Sequence, residues 1–419
     1  MQTHYDAELK DTVRYLGKTL GETIKNQLGQ EWLDRIEKIR KGGRASYQGD
    51  ATCSEELKET FKTMSDSDLL TVGRAFAQFL NLGNIAEQEY NAAMNVDASI
   101  DALFKHLDKA ELTADKVQDA VAKLNIDLVL TAHPTEVTRR TLIHKHKELA
   151  DCLQAVHQAS LSDVERKKIE TRIADLIAQA WHTEEIRSVR PTPVDEARWG
   201  FSVIENSLWE AVPDFMRELD GRLNEDYDVS LPLDASPVQF SSWMGGDRDG
   251  NPFVTSKVTE QVLLLARKRA AKLFALDLDR LQVELSMYDC NDELRDKVGD
   301  ANEPYRALLR PLVNKFIATR DGIADYLAGK NPDSSNWIES DDELIEPLML
   351  CYQSLIDCGM QVVANGLLLD TIRRARVFGI HLLRLDVRQD SERHADVFSE
   401  LTRYLGSVSY THLTLPTNR

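Results

Sequence analysis

The sequence predicts an α/β fold that is mostly helical, an incomplete (β/α) barrel with long helical insertions. Most of the chain places apolar residues at close to a 3.6-residue period, which predicts amphipathic helices. Three stretches, residues 127–131, 238–244 and 382–387, are rich in β-branched or bulky apolar residues and are too short for core helices. Because parallel strands need long crossovers, strands separated by helical regions predict a parallel sheet. Three strands do not close a barrel, so the predicted barrel is incomplete.

The predicted helices begin near the N-terminus. Residues 11–40 carry apolar side chains at helical spacing and predict one helix, and residues 41–50 predict a polar, glycine-bearing loop. A second helix is predicted at about 66–90. A third begins after Ser162, which forms a capping-box pattern with Glu165. Further helices are predicted at roughly 256–287, 304–328 and 341–375.

Composition excludes several classes of protein. The 419 residues carry 51 Lys+Arg against 69 Asp+Glu, a formal charge of −18, which argues against a general nucleic-acid binder. A local cluster of arginines can still hold an anionic substrate. No apolar run reaches the ~18–20 residues of a membrane span, and the N-terminus lacks the apolar stretch of a signal peptide. Five scattered cysteines indicate neither a disulfide framework nor a Cys-rich metal site, so we expect a soluble cytoplasmic protein.

The first predicted strand runs into LVLTAHPTEVTRR, residues 128–140. His133 at a strand end, followed by a proline, suits a general acid/base or an oxyanion donor that Glu136 could orient. Arg139 and Arg140 have planar donor forks that suit phosphate or carboxylate oxygens. A helix-capping or structural histidine with surface arginines is an equally good interpretation from the spacing alone. The H-E-x-x-H zinc motif is absent from this segment.

The second predicted strand runs into FSSWMGGDRDGNP, residues 240–252. The paired glycines allow the backbone to approach a ligand closely. A calcium loop is excluded because Pro252 stands where that loop requires glycine. Asp247 and Asp249 form a DxD pattern that suggests a metal site, but an ion-paired loop with Arg248 and neighbouring arginines is the favoured interpretation. Trp243, at the strand end, is either an apolar wall for a small ligand or a core residue.

The third predicted strand contains LRLDVRQDSERH, residues 383–394. Strand alternation places Arg384, Asp386 and Arg388 on one face. Three charges on a buried strand are costly unless they bind a ligand or each other. Either Arg388 holds an anion while Asp386 orients a neighbouring arginine, or the three form a structural ladder of salt bridges.

Other polar residues give weaker signals. His144 and His146 lie two apart on a predicted helix and do not face one ligand. His182 lies on a long helix and is interpreted as structural. Arg187 belongs, with Arg190 and Arg198, to a basic stretch suited to an anion or a subunit contact.

The segment LVLTAHPTEVTRRTLIHKH together with FSSWMGGDRDGNP resembles the bacterial-type phosphoenolpyruvate carboxylase family. RLDVRQDSERH, NSLWEAVP, WHTEEIR and LGKTLGETI resemble the same family. The similarity runs from about residue 5 to Gly406.

The resemblance implies a carboxy-lyase that forms oxaloacetate and phosphate from phosphoenolpyruvate and bicarbonate, which supplies the tricarboxylic acid cycle. Phosphate transfer to bicarbonate gives carboxyphosphate and the enolate of pyruvate, and the enolate then attacks CO₂. His133 matches the family's essential histidine, which would deprotonate carboxyphosphate. Arg388 matches an arginine that binds the substrate phosphate, and Trp243 matches a wall at the methylene end. The positions that match a sugar-phosphate activator site of some members are Arg139, Arg140 and Arg187.

The resemblance also implies what this chain lacks. Family members are far longer, and the ligands for Mg²⁺ or Mn²⁺ are expected in their C-terminal half. We therefore expect residues 1–125 to form a helical region, 126–406 the first part of a barrel, and 407–419 a non-native tail. The full-length enzyme is expected to be a homotetramer, whereas this chain alone is expected to be inactive and to aggregate or form a molten state.

Two alternatives belong to other classes of protein. One is a non-catalytic anion-binding or oligomerisation module that uses Arg139, Arg140 and Arg187. The other is a metal-dependent transferase that uses the DxD pattern of Asp247 and Asp249.

Overall fold

A computed structural model describes residues 2–94, 100–110, 112–131, 140–156, 161–184, 191–248 and 251–406. The chain divides into two compact units, Met1–Ala102 with Val137–Val189 and Leu103–Glu136 with Arg190–Arg419. The first unit is helical, and the second contains the sheet together with a larger set of helices. The predicted domain boundary between residues 125 and 126 stays a prediction.

The helices and strands in chain order are α1 (Gln2–Leu28), α2 (Gln30–Tyr47), α3 (Ala51–Lys62), α4 (Asp66–Met94), α5 (Ile100–Lys109), α6 (Ala114–Ala122), β1 (Ile126–Leu130), α7 (Arg140–Val156), α8 (Asp163–His182), α9 (Pro193–Val203), α10 (Trp209–Tyr227), β2 (Val238–Ser242), α11 (Ser256–Glu284), α12 (Asp292–Val298), α13 (Pro304–Leu327), α14 (Asp342–Asp357), α15 (Gln361–Val363), α16 (Leu369–Phe378), β3 (Arg384–Leu385) and α17 (Ser391–Tyr404). Wider π-helical turns at Ile204–Leu208 and Ala364–Leu368 lead into α10 and α16. None of the described helices combines the length and apolarity that crossing a membrane requires.

The first unit packs α1, α2, α4, α7 and α8 around one apolar cluster. Leu16, Leu20 and Ile24 of α1 are buried there, as their helical spacing predicts. The capping box at Ser162 is confirmed, because the Ser162 hydroxyl accepts the Glu165 N–H while Glu165 accepts the Ser162 N–H. The cap fixes where α8 begins, and its apolar face then packs against α1 and α7.

The predicted single helix at 11–40 is wrong in one respect: Gly29 interrupts it. Gly29 has φ +94°, a left-handed conformation that few residues other than glycine adopt, so α1 ends and α2 begins there. The predicted loop at 41–50 is also wrong over most of its length, because α2 continues to Tyr47 and only the following residues turn.

In the second unit, the predictions at 256–287 and 304–328 are confirmed as α11 and α13. The predicted helix at 341–375 is divided, because α14 ends at Asp357 and the chain turns through Gly359, which has φ +74°. An aromatic series links these helices to the sheet. Phe240 of β2 stacks on Phe378 of α16 with ring centroids 5.4 Å apart, and Phe378 stacks on Trp209 of α10 at 5.0 Å.

The three strands form one parallel sheet in the order β1–β2–β3, which confirms the predicted strands and their direction. Ile126 pairs with Val238, and Leu130 pairs with Ser242, so β1 and β2 end at the same level. β3 is shorter than predicted and contains only Arg384 and Leu385. Arg384 is exposed, so the expectation that this strand is buried is wrong.

A buried ion pair joins α16 to α10 and α11. Arg374 Nη1 lies 3.0 Å from Asp277 Oδ2, and both side chains are 3% exposed. Trp209 Nε1 donates to the same carboxylate oxygen at 2.9 Å, and Arg374 Nε donates to the Trp209 carbonyl at 2.7 Å. Burial raises the pKa of Asp277, and Arg374 opposes that shift. The two donors thus supply hydrogen-bond partners to a carboxyl group that is removed from water.

Replacing Arg374 with alanine is expected to destabilise the second unit by about 3–5 kcal/mol, because the Asp277 carboxylate loses its buried partner. Urea denaturation of purified protein measures this effect. Arg403→Ala is the matched control, because Arg403 pairs with Glu400 on the surface with about seven-tenths of both side chains exposed. Its removal is expected to change stability by less than about 1 kcal/mol. Equal effects of the two substitutions would contradict the structural role of the buried pair.

Candidate functional site

Main-chain hydrogen bonds continue between the segments that follow β2 and β3. The Asp386 N–H donates to the Ser242 carbonyl at 2.9 Å, and the Arg388 N–H donates to the Gly246 carbonyl at 3.0 Å. The Arg248 N–H in turn donates to the Arg388 carbonyl at 2.9 Å, which makes a parallel bridge between residues 247 and 388. The segments that follow β2 and β3 are therefore hydrogen-bonded to each other beyond the carboxyl end of the sheet.

Trp243 and Arg388 form the centre of this site. The Arg388 guanidinium carbon lies 4.1 Å from the centre of the Trp243 ring, a close cation–π stack. Trp243 Nε1 donates to Asp386 Oδ2 at 3.1 Å, and the Trp243 N–H donates to the Leu130 carbonyl at 3.2 Å. The ring is therefore held by β1 through its backbone and by the β3 segment through its side chain.

The carboxylates of the site have different partners. Asp386 accepts from the Trp243 indole, and the expectation that it orients a neighbouring arginine stays a prediction. Asp247 lies beside Arg388, with Oδ2 3.6 Å from Nη1, which is an ion pair longer than a hydrogen bond. The Asp247 and Arg388 side chains are 27% and 46% exposed. This pairing confirms the ion-paired interpretation for Asp247, whereas Asp249 lies outside the described residues.

Two glycines allow the close backbone approach on which the site depends. Gly245 has φ +84°, and a Cβ there would lie 2.5 Å from Val262 of α11. At Gly246 a Cβ would lie 2.2 Å from the Asp386 carbonyl oxygen. The paired glycines of the sequence therefore serve contact between two backbone segments, and no contact with a ligand is needed to explain them.

A polar side-chain contact joins β1 and β2 within the sheet. Ser241 Oγ donates to Asp127 Oδ1 at 2.8 Å, and Ser241 is fully buried. This pair was not predicted from the sequence. The sequence feature that could have predicted it is the single aspartate in the apolar stretch of β1, because β1 pairs with the serine-containing strand β2.

Several predicted site residues lie outside the described residues. These are His133, Arg139 and Arg187. Arg140 is the first residue of α7, and its side chain is not described. Of the predicted catalytic and substrate-binding residues, the structure therefore brings together Trp243 and Arg388.

Three further histidines lie on described helices. His144 is exposed on α7, whereas His146 is half-buried and burial lowers its pKa. His182 is the last residue of α8. Within the described ranges, no group of three or more His, Cys, Asp and Glu side chains is arranged to hold a metal ion.

The site is suited to recognising an anion with a planar, fixed arginine. Stacking on Trp243 uses the face of the guanidinium, while the N–H donors point outward in its plane. A phosphate or carboxylate can approach this edge and accept two parallel hydrogen bonds. Asp247 is the competing anion on that edge, at a distance that leaves the arginine incompletely neutralised.

Comparison with known proteins gives one consistent result. A family model described as phosphoenolpyruvate carboxylase matches residues 9–418. The phosphoenolpyruvate carboxylase of Aeromonas hydrophila is 52% identical over 410 residues, covering 96% of this chain and 47% of the relative. That of Tolumonas auensis is 51% identical over 409 residues, covering 96% and 47%, and that of Hahella chejuensis 48% over 423 residues, covering 99% and 48%.

The chain thus spans about half the length of the curated relatives it matches. The family match continues beyond Gly406, where the sequence analysis placed the end of the similarity. It gives no support to that limit, and the non-native character of residues 407–419 stays a prediction.

Gly246→Ala is expected to destabilise the protein by about 1–3 kcal/mol, because the new methyl group must displace the Asp386 backbone. Gly221→Ala, within α10 and facing open space, is the matched control and is expected to be neutral or stabilising by about 0.4–1 kcal/mol. Urea denaturation measures both. Equal stability of the two variants would show that the segments after β2 and β3 are not in contact.

Proposed function

Because the chain belongs to the phosphoenolpyruvate carboxylase family, we propose that it forms the N-terminal half of an enzyme that converts phosphoenolpyruvate and bicarbonate to oxaloacetate and phosphate. The observation that carries the proposal is the Arg388 guanidinium stacked on Trp243 at the carboxyl end of a parallel sheet. Functional residues of α/β barrels lie at that end of their strands.

We assign the substrate phosphate to the outer edge of Arg388. The stack on Trp243 fixes the guanidinium plane, so binding an anion costs little side-chain entropy. The 46% exposure of Arg388 leaves its edge accessible to solvent and ligand. Trp243, itself held by Asp386, would face the apolar methylene end of phosphoenolpyruvate.

The proposed reaction has three steps. The phosphoryl group passes from phosphoenolpyruvate to a bicarbonate oxygen, and the enolate of pyruvate leaves. His133, as general base, removes the proton from carboxyphosphate, which then divides into CO₂ and phosphate. The methylene carbon of the enolate attacks the CO₂ carbon to form oxaloacetate. His133 suits this role because the segment that contains it follows β1, which ends beside β2 at the edge where Trp243 lies.

The proposed reaction uses Mg²⁺ or Mn²⁺, and we assign no residue of this chain to that ion. The ligands are proposed to lie in the part of the relatives beyond the matched half.

We propose that the three strands are the first part of a barrel that the other half of the enzyme completes. β1 pairs with β2 along one edge, and its apolar side chains are largely open to solvent, with Leu128 48% and Val129 42% exposed. α17 buries none of its residues, although Val397 and Leu401 form an apolar face. Surfaces of this kind are typical of contacts that a further part of the protein covers.

Other properties are proposed from family membership alone. Arg139, Arg140 and Arg187 would bind a sugar-phosphate activator. The complete enzyme would be a cytoplasmic homotetramer.

The 419-residue chain alone is expected to form no oxaloacetate from phosphoenolpyruvate, bicarbonate and Mg²⁺ in an assay coupled to malate dehydrogenase. Co-expression with the C-terminal half of the Aeromonas hydrophila relative is expected to restore activity, because that half supplies the missing metal ligands and covers the exposed strand. His133→Ala in this chain is expected to abolish the restored activity.

Oxaloacetate production by the chain alone would refute the proposed division of the site between two halves. A stable complex of the two halves that binds a sugar phosphate but shows no turnover would instead favour a non-catalytic anion-binding module.

In a chimaera that joins this chain to the Aeromonas hydrophila C-terminal half, Arg388→Ala is expected to weaken phosphoenolpyruvate recognition. The loss of one charge-assisted contact predicts a decrease in kcat/KM of about ten- to a hundredfold. Arg388→Lys is expected to recover part of this loss, because it keeps the charge but lacks the planar fork. Arg166→Ala, on the exposed surface of α8, is the control and should leave kcat/KM unchanged. An unchanged kcat/KM in Arg388→Ala would remove this residue from the substrate site.

A further inference from the structure

We propose that Cys290 and Cys358 form a redox-active thiol pair, a modification site that joins the start of α12 to the end of α14 as a disulfide. Cys290 directly precedes Asn291, the N-cap of α12, and Cys358 is the C-cap of α14. The two cysteines thus lie at helix ends, where small backbone movements cost less than in a helix interior. Both side chains are partly accessible to solvent.

Hydrogen bonds join residues that lie next to, or one turn from, the two cysteines. The Asn291 N–H donates to Ser354 Oγ at 3.0 Å, and Asn291 Nδ2 donates to Asp357 Oδ2 at 2.7 Å. Ser354 lies one turn before Cys358 in α14, and Asp357 is adjacent to Cys358. Because Cys290 is adjacent to Asn291, these hydrogen bonds place Cys290 beside the last turn of α14.

Electrostatics agree with this proximity. Burial raises the pKa of Cys358, and the neighbouring Cys290, Asp289 and Asp357 raise it further. Burial raises the pKa of Tyr305 to about 12, and Cys358, Cys351 and Cys290 raise it further. The Tyr305 hydroxyl lies 3.0 Å from Ser354 Oγ, the same hydroxyl that accepts from Asn291.

The third cysteine of this group is excluded as a partner. Cys351 is fully buried, so a peroxide in solution does not reach its sulfur atom. Cys351 and Cys358 lie seven residues apart along α14, about 10 Å of helix, whereas a disulfide needs Cα atoms about 4.4–6.8 Å apart. The pairing Cys290–Cys358 is the one that both geometry and access favour.

The oxidant is a hydroperoxide, and hydrogen peroxide is the probe. One thiolate attacks a peroxide oxygen, the O–O bond breaks, and the products are a sulfenic acid and water. The second thiol attacks the sulfenic sulfur, which forms the S–S bond and releases a second water molecule. Two thiols are oxidised by two electrons in total, and one peroxide molecule is reduced.

The test is hydrogen peroxide treatment of the native chain in mildly alkaline buffer, followed by thiol titration and non-reducing peptide mapping. Two of the five thiols are expected to be lost. The cross-linked peptide should join Cys290 to Cys358, and dithiothreitol should restore both thiols. Cys290→Ser and Cys358→Ser are each expected to abolish the cross-link, whereas Cys152→Ser, a control in the first unit, should retain it.

Treatment in concentrated urea tests whether the cross-link depends on the folded structure or on random contact between thiols. Folded protein should give the Cys290–Cys358 peptide as the dominant product, and unfolded protein should give mixed pairings. The proposal is overturned by the same mixture in both conditions, by a different dominant pair, or by sulfinic acid at either residue without a cross-link.

Discussion

The site depends on one constraint, the main-chain contact between the segments that follow β2 and β3. The Arg388 N–H donates to the Gly246 carbonyl and the Arg388 carbonyl accepts from the Arg248 N–H, and these bonds place Arg388 over Trp243. A side chain at position 246 would occupy the space of the Asp386 carbonyl. Because each segment is short and irregular, neither would hold its side chains in one position alone. The hydrogen bonds between the two segments therefore fix the position of each segment against the other.

The segments after β2 and β3 are anchored in a core that combines stacked aromatic rings with a buried ion pair. Phe240 of β2 stacks on Phe378, which stacks on Trp209, and Trp209 donates to Asp277 in the buried pair with Arg374. The stacked rings contribute packing, whereas the ion pair is costly to bury and stable only with all its donors in place. The long helical insertions are therefore part of what positions β2, since α10, α11 and α16 carry every member of this series beyond the strand.

Much of the fold follows from local sequence signals. The short apolar stretches predict β1 and β2 to within two residues, and the Ser162–Glu165 pattern predicts the start of α8. The error at Gly29 has a physical origin, because a single backbone conformation interrupts a continuous apolar period and periodicity carries no information about φ. The contact between Trp243 and Asp386 was not predicted, because strand alternation within one segment cannot reveal an indole from another.

The site combines arginines with carboxylates in a chain of net negative charge. With a net charge of −18, the protein as a whole repels phosphate-bearing molecules. In the proposed binding mode, Arg388 would attract the substrate phosphate at short range, where Asp247 also competes for it. The Asp247–Arg388 ion pair, at 3.6 Å, is longer than a hydrogen bond, and a bound phosphate would form shorter hydrogen bonds to the guanidinium. Trp243 would keep the guanidinium plane in place during that exchange, so the arginine would change partners without losing its orientation.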